Sequence, residues 1–457
     1  MFGNTETNRA PFKGSLLNGK KGSKMKSNQT KIRKRPLLFL ICALLLSLSL
    51  SSCSTLYAPL MELQNGTQNG STSPSGNSTP NNSSTNVTIT NTGTSDVSLA
   101  SAKGLRSAVS VYCTFEATVG GNSFWNPLPS IQTYYSSGSG VIYSIDESGS
   151  AFIITNHHVV YHSSSNTSNH ISNKIYVYLY GMESQACAIP ASYVGGSVNY
   201  DIAVLRVERN ELLKSAYLSG SAAAITIGSS DDVVPGMTTI AIGNPSATDL
   251  SGISVTKGIV SVDSEYITMT ADDNSGEISF RVIRTDTPVN AGNSGGGLFN
   301  DKGELIGIVN AKISSADIEG IAYAIPSSVA RAIADNIIDY CYGKNCESVM
   351  RGLLGVKITT TGYSTEYDTE KGVLRRVEEI SVYEVTAGGL GDGMLLKNDV
   401  VKSITIGDKT ISVTRQHHLI DAMLDVRVGD TVSIVIVRNG TEKIVSTTIT
   451  ESCLVKY

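Results

Sequence analysis

The apolar residues of this chain arrive in short runs, and that spacing constrains the fold more than anything else in the sequence. Val, Ile and Thr recur in brief alternating stretches, each closed by Gly, Asn, Asp or Ser, and the apolar run Val432–Val437, followed by Asn439-Gly440, reads as a largely buried strand. Period-two alternation bounded by turn residues predicts strands, and Asn-Gly predicts a two-residue hairpin. The chain is therefore expected to be mainly β. Two stretches break the pattern. Ser327–Ile338 has apolar residues at helical spacing behind a serine suited to capping, and His417–Leu424 is similar. At 457 residues there is room for two or three domains.

Three separate stretches carry residues suited to one chemistry. The run Thr287-Pro288-Val289-Asn290-Ala291-Gly292-Asn293-Ser294-Gly295-Gly296-Gly297-Leu298-Phe299 sets a serine among small, flexible residues. Such a run permits a tight turn that aims successive amide N–H groups at one point. A serine nucleophile needs those donors for the oxyanion formed when it attacks a carbonyl. A glycine-rich hairpin turn would have the same composition. Upstream, Ala151-Phe152-Ile153-Ile154-Thr155-Asn156 leads into the pair His157-His158 and then Val159-Val160. An imidazole at a strand end can be fixed by the strand while it faces a cleft, and it takes and returns a proton near neutral pH. A pair of surface histidines is the plainer alternative. Asp201 opens the apolar run Ile202–Val207. A carboxylate at that junction is expected to be partly buried and so to need a partner, either a histidine N–H or backbone amides. Histidine, aspartate, serine is the chain order of the chymotrypsin-type triad.

At these residues the sequence resembles the HtrA/Deg family of trypsin-like serine proteases. Further matching motifs are Gly138-Ser139-Gly140-Val141-Ile142, Ala241-Ile242-Gly243-Asn244-Pro245, Val255–Ser261, Arg284-Thr285-Asp286-Thr287 and Gly320–Pro326, so the resemblance covers about residues 105 to 450. It implies a chymotrypsin-like double β-barrel followed by a PDZ domain. In the family's histidine motif the residue directly before the valine is catalytic. That implies His158, with His157 standing where the family often has asparagine. Ser294 would attack the peptide carbonyl, His158 would shuttle the proton, and Asp201 would hold the imidazole. The backbone N–H groups of Gly292, Asn293 and Ser294 are the expected oxyanion donors. The family's specificity pocket maps onto Val309, Asn310, Ala311 and Lys312. Lys312 would either bias cleavage toward acidic side chains or simply face solvent. The resemblance further implies unfolded or mislocalised extracytoplasmic polypeptides as substrates, a homotrimeric core, and no metal or organic cofactor. A different class of function also fits: a peptide-binding holdase whose site is intact but held inactive. A purely structural surface protein would leave the three side chains apart. The segment Val262–Phe280 aligns with none of these motifs.

Beyond the linking helix, Arg351-Gly352-Leu353-Leu354-Gly355-Val356 resembles the carboxylate-binding loop of a PDZ domain. Thr386-Ala387-Gly388-Gly389-Leu390 and Leu396–Val401 resemble the turns that follow. An extended peptide would pair with the strand after Gly355, its C-terminal carboxylate held by amides of the loop Leu353, Leu354, Gly355 and Val356. His417 and His418 are expected at the helix start, facing solvent or groove rather than a metal.

Charge is unevenly spread. Residues 1–35 hold ten Lys and Arg against one Glu, so a total of −4 leaves −13 for the rest. An acidic body argues against nucleic acid as a partner. The basic Lys31-Ile32-Arg33-Lys34-Arg35 precedes an apolar stretch that ends in Leu50-Ser51-Ser52-Cys53. This resembles a bacterial lipobox with Cys53 as the lipidated residue; an uncleaved signal anchor is the alternative. Both place the body outside the cytoplasm and tether it to the cell membrane. The expected organisation is a signal or anchor segment (1–53), a Ser/Thr/Asn/Gly-rich tether (54–100) and the protease domain (101–328). A linker helix (329–348) and a PDZ domain (349–452) complete it. Besides Cys42 and Cys53 there are five cysteines, of which Cys341 and Cys346 are spaced to close a small loop.

Overall fold

The structure is a computed structural model that describes residues 96–120, 128–245, 252–312, 320–344 and 349–456. The expected signal segment, Cys53 and most of the expected tether lie outside the described residues. The last part of that tether is corrected. Helix α1 spans Asp96–Leu105, because Val97, Ala100 and Leu105 supply an apolar stripe that packs on the main core.

Six antiparallel strands follow: β1 (Ala108–Val119), β2 (Ser130–Ile145), β3 (Ala151–Thr155), β4 (Lys174–Leu179), β5 (Ile189–Ser197) and β6 (Ile202–Val207). They close into a barrel in the order β1-β2-β3-β6-β5-β4. A one-turn helix α2 (His157–Val160) leaves β3, and α3 (Glu211–Leu218) follows β6. The second barrel is built from β7 (Thr238–Gly243), β8 (Ser254–Thr270), β9 (Glu277–Thr285), β10 (Gly297–Phe299), β11 (Leu305–Asn310) and β12 (Ala322–Pro326), ordered β10-β11-β12-β9-β8-β7. The mainly β, double-barrel expectation is met. The unaligned segment Val262–Phe280 forms most of the long β8–β9 hairpin.

Helix α4 (Ser327–Cys341) is more than a connector. Val329, Ala330, Ile333, Ala334 and Ile337 belong to the same apolar cluster as barrel residues Ile154, Ile202 and Ile308. The serine cap does not form: Pro326 holds the N-cap position, and Ser327 Oγ donates to Gly228 O at 2.8 Å. Cys341 at the end of α4 is disulfide-bonded, whereas Cys113, Cys187 and Cys453 are free.

The last module has its own core. Strands β14 (Val356–Asp368), β15 (Val373–Val385), β16 (Val400–Ile406), β18 (Thr431–Arg438) and β19 (Thr441–Thr448) form one sheet, with β17 (Lys409–Ser412) paired to β16 and helix α5 (Gln416–Ala422) beside it. The hairpin at Asn439-Gly440 occurs as expected, with φ of 52° and 75°. Short β13 (Met350–Gly352) pairs with β20 (Leu454–Lys456), which lies beyond the expected boundary at 452. The result is a PDZ-like β region.

Candidate active site

Strand β3 leads directly into the histidine pair, and the single turn of α2 splits it. His157 turns inward, leaving it 5% exposed, while His158 is half-buried. His158 Nδ1 lies 2.7 Å from Asp201 Oδ2, and the His158 backbone N–H donates to Asp201 Oδ1 at 2.9 Å. An ionised carboxylate only accepts, so Nδ1 carries the proton and Nε2 keeps a lone pair. Asp201 is itself buried and adopts a left-handed backbone with φ of 51°, a conformation uncommon outside glycine. Its carbonyl holds it there, accepting from His157 N–H at 3.2 Å and from Asn156 Nδ2 at 2.8 Å.

Burial alone would push the Asp201 carboxyl pKa up. The charge His158 carries when protonated and the hydrogen bonds from its ring and amide outweigh burial, and the carboxyl sits below its ordinary value. Burial pushes the His157 ring down to about 4, against a weaker upward pull from Asp201. His157 is thus neutral near pH 7.

The second barrel brings the serine. Asn310, at the end of β11, donates from Nδ2 to Asp201 Oδ2 at 2.7 Å, and the next residue's amide, Ala311 N–H, donates to Ser294 Oγ at 3.2 Å. Two consecutive residues therefore touch the carboxylate of Asp201 and the hydroxyl of Ser294. Asn310, assigned in the sequence to a specificity pocket, is instead a buried partner of Asp201. Ser139 staples the serine loop to the first barrel. Its N–H donates to Ser294 O at 2.8 Å and its hydroxyl to Gly292 O at 2.7 Å, while its own carbonyl accepts from Thr155 Oγ1 at 2.7 Å. The glycines are required here. Gly292 has φ of 96° and a Cβ on it would lie 2.2 Å from Asn244 O; Gly295 has φ of 84° and its Cβ would lie 2.2 Å from Ser139 O.

Residues 138–308 match the model of the trypsin-like peptidase domain family. The serine protease Do-like HtrA of Lactococcus lactis subsp. lactis (strain IL1403) is 30% identical over 334 residues, covering 71% of this chain and 73% of that protein. This chain belongs to the HtrA family of Do-like serine proteases. The serine protease Do-like HtrA of Bacillus subtilis (strain 168) is 34% identical over 312 residues, 67% of this chain, and the chain spans 62% of that relative. The solved HtrA-type protease AlgW with decapeptide aligns over 78% of this chain and 98% of its own, at 27% identity and a TM-score of 0.45.

Around the serine of this HtrA-family chain, the amide of Asn293 is not available to an oxyanion, because it donates to Asn290 O at 3.0 Å. The N–H groups of Gly292 and Ser294 have no partner among the described residues. Val309 is committed to the serine loop through both its N–H and its carbonyl, to Gly296 O and from Gly295 N–H. Lys312 neither stands bare in the cleft nor points to solvent alone. It forms an ion pair with Asp272 in the β8–β9 turn, whose other oxygen lies 4.0 Å from His157 Nδ1.

In the PDZ-like module a cavity of about 260 Å³ lies between β14 and α5, lined in part by Leu354, Val356, Ile358, Leu419, Ile420 and Met423. The Leu353 amide donates to Cys453 O at 3.3 Å, whereas the amides of Leu354 and Gly355 have no backbone partner among the described residues. Gly355 has φ of 67°, and a Cβ on it would meet Gly389 Cα at 2.8 Å. His417 does not line the groove beside α5: it is buried, with Nδ1 3.3 Å from Ser264 Oγ of β8. Sequence reasoning missed Ser139, Asn156 and the role of Asn310. For Asn156 and Asn310 the available signal was a polar side chain closing an apolar run; Ser139, among serines and glycines of β2, offered none.

Proposed function

We propose that this chain is a serine endopeptidase acting on unfolded or mislocalised extracytoplasmic polypeptides. The observation that carries the reading is the double contact of Asn310 and Ala311 with Asp201 and Ser294, beside the 2.7 Å His158–Asp201 pair. In the proposed reaction Ser294 Oγ attacks the substrate carbonyl as its proton passes to the bare Nε2 of His158. Asp201 stabilises the imidazolium without itself taking the proton, and His158 returns the proton to the leaving amine. The amides of Gly292 and Ser294 would receive the oxyanion. Water then repeats the sequence on the acyl-enzyme. Labelled fluorophosphonate should modify Ser294, and casein should be hydrolysed by the wild type but not by Ser294→Ala. Casein hydrolysis that survives Ser294→Ala in a preparation free of other proteases would refute it.

Two further elements belong to this reading. The cavity beside α5 suits a peptide C-terminus added as a strand to β14, with its carboxylate on the amides of Leu354 and Gly355. Binding should be lost when the peptide is C-terminally amidated. We also propose membrane anchoring through lipidated Cys53 and assembly as a homotrimer. Metabolic labelling with a fatty acid and sedimentation of the soluble body test them; no lipid on Cys53, or a monomer, refutes each in turn. Among the described residues no helix is long and apolar enough to cross a membrane.

A further inference from the structure

A second cluster of titratable side chains, away from the serine, joins the two modules. Asp231 lies on the connection between α3 and β7, and His417 and His418 sit in the first turn of α5. One ligand atom from each lies within 4.8 Å of the other two. The cluster borders a cavity of about 390 Å³ between the second barrel and the β14–β15 hairpin, so water and small ions reach it.

Both rings are arranged as ligands. His418 Nδ1 is 2.9 Å from Ser412 O. The Thr414 N–H, shared with Ser412 O at 3.2 Å, also points at Nδ1 from 3.3 Å; the shorter contact, to a carbonyl that can only accept, favours the proton on Nδ1 and an open Nε2. A backbone carbonyl behind the ring is the usual device that orients a metal-binding imidazole. His417 has the hydroxyl of Ser264 behind its Nδ1 at 3.3 Å.

The cations facing the cluster are already matched. Arg281 pairs with Asp421 at 2.6 Å, and Arg415 pairs with Asp263 at 2.6 Å and Glu378 at 3.4 Å. On the cavity wall Arg375 pairs with Asp232 at 2.9 Å and Arg376 with Glu378 at 3.1 Å. Asp231 is left with a loose contact, 3.6 Å from Arg281 Nη2, and its side chain is exposed enough to turn. A tetrahedral ion about 2.0–2.2 Å from each ligand would draw the three atoms inward, with water in the fourth position.

We propose that Asp231, His417 and His418 bind a divalent transition-metal ion of the zinc class and that the ion ties the PDZ-like module to the protease domain. Two imidazoles and one carboxylate match that class rather than calcium or magnesium, which favour all-oxygen sites. The proposal is independent of the hydrolytic reading.

The test is a Zn²⁺ titration of the full-length protein carrying Ser294→Ala, which prevents self-cleavage. The expected result is one ion per chain, with affinity weakened about tenfold or more by His418→Ala and by the exposed substitution Asp231→Asn. Asp272→Asn should leave it unchanged; that residue belongs to the other potential ligand group, with His158 and Asp201. Metal-free melting of each variant at the parent temperature shows that the loss is not misfolding. Zn²⁺ should also slow amide exchange in residues 416–422 and 229–234. Unchanged affinity in both His418→Ala and Asp231→Asn, loss in Asp272→Asn alone, or binding without slowed exchange would overturn the proposal.

Discussion

Asn310→Ala separates a residue that positions the aspartate from one that lines a pocket. Asp201 Oδ2 accepts two hydrogen bonds, from His158 Nδ1 and Asn310 Nδ2, each at 2.7 Å, and the carboxylate is 2% exposed. No water replaces the amide readily at that depth. A hydrogen bond to a charged group is worth about 1.5–3 kcal/mol. If all of it appears in the barrier, at 1.36 kcal/mol per decade, kcat falls about 10- to 150-fold. Asn310 sits on Asp201 and not in the cleft, so the loss should fall on kcat with KM nearly unchanged. Asn310→Ser, with a shorter donor, should recover part of it. The assay is steady-state hydrolysis of a fluorogenic peptide series that varies the side chain before the scissile bond. A variant that keeps wild-type kcat on its best substrate but changes its preference among the series would refute the positioning role and restore Asn310 to the pocket.

Acid should destabilise the fold through His157. Its folded pKa of about 4 lies below the ordinary 6.5, so the unfolded chain takes the proton first. The stability is present above about pH 6.5 and is lost as pH falls toward 4, by up to about 3 kcal/mol. Urea unfolding at pH 7 and pH 4.5 should show a smaller pH dependence in His157→Asn; an unchanged difference would refute the assignment. Arg281→Ala leaves Asp421 buried without its 2.6 Å partner and should cost about 3–5 kcal/mol. The cost should appear as a lower melting temperature and faster amide exchange in α5, and wild-type exchange there would count against the ion pair as a docking contact.

The parts of the site legible in the sequence are those that demand a particular residue type in a local frame. The serine loop needs glycine where φ is 96° and 84° and where a side chain would strike the carbonyls of Asn244 and Ser139, so its composition betrays it. The Asn-Gly hairpin between β18 and β19 is legible for the same reason. The illegible parts depend on register between distant strands. Asn310 ends the apolar run Leu305–Val309 and could face either way. Its reach to Asp201, 109 positions earlier, follows from how β10 and β12 flank β11 and how the two barrels abut. The run Val432–Val437 shows the same limit. It reads as largely buried, yet only Val432, Ile434 and Ile436 are, because α5 and the β13–β20 end of the module cover one face of that sheet. Ser327 shows tertiary structure overriding a local rule. A serine before a helical run predicts a cap, but the carbonyl of Gly228 offers its hydroxyl a buried acceptor, and proline, with its fixed φ, takes the cap position instead. In each case the residue type was informative and the partner was not, since a partner is chosen by topology that no single stretch of chain contains.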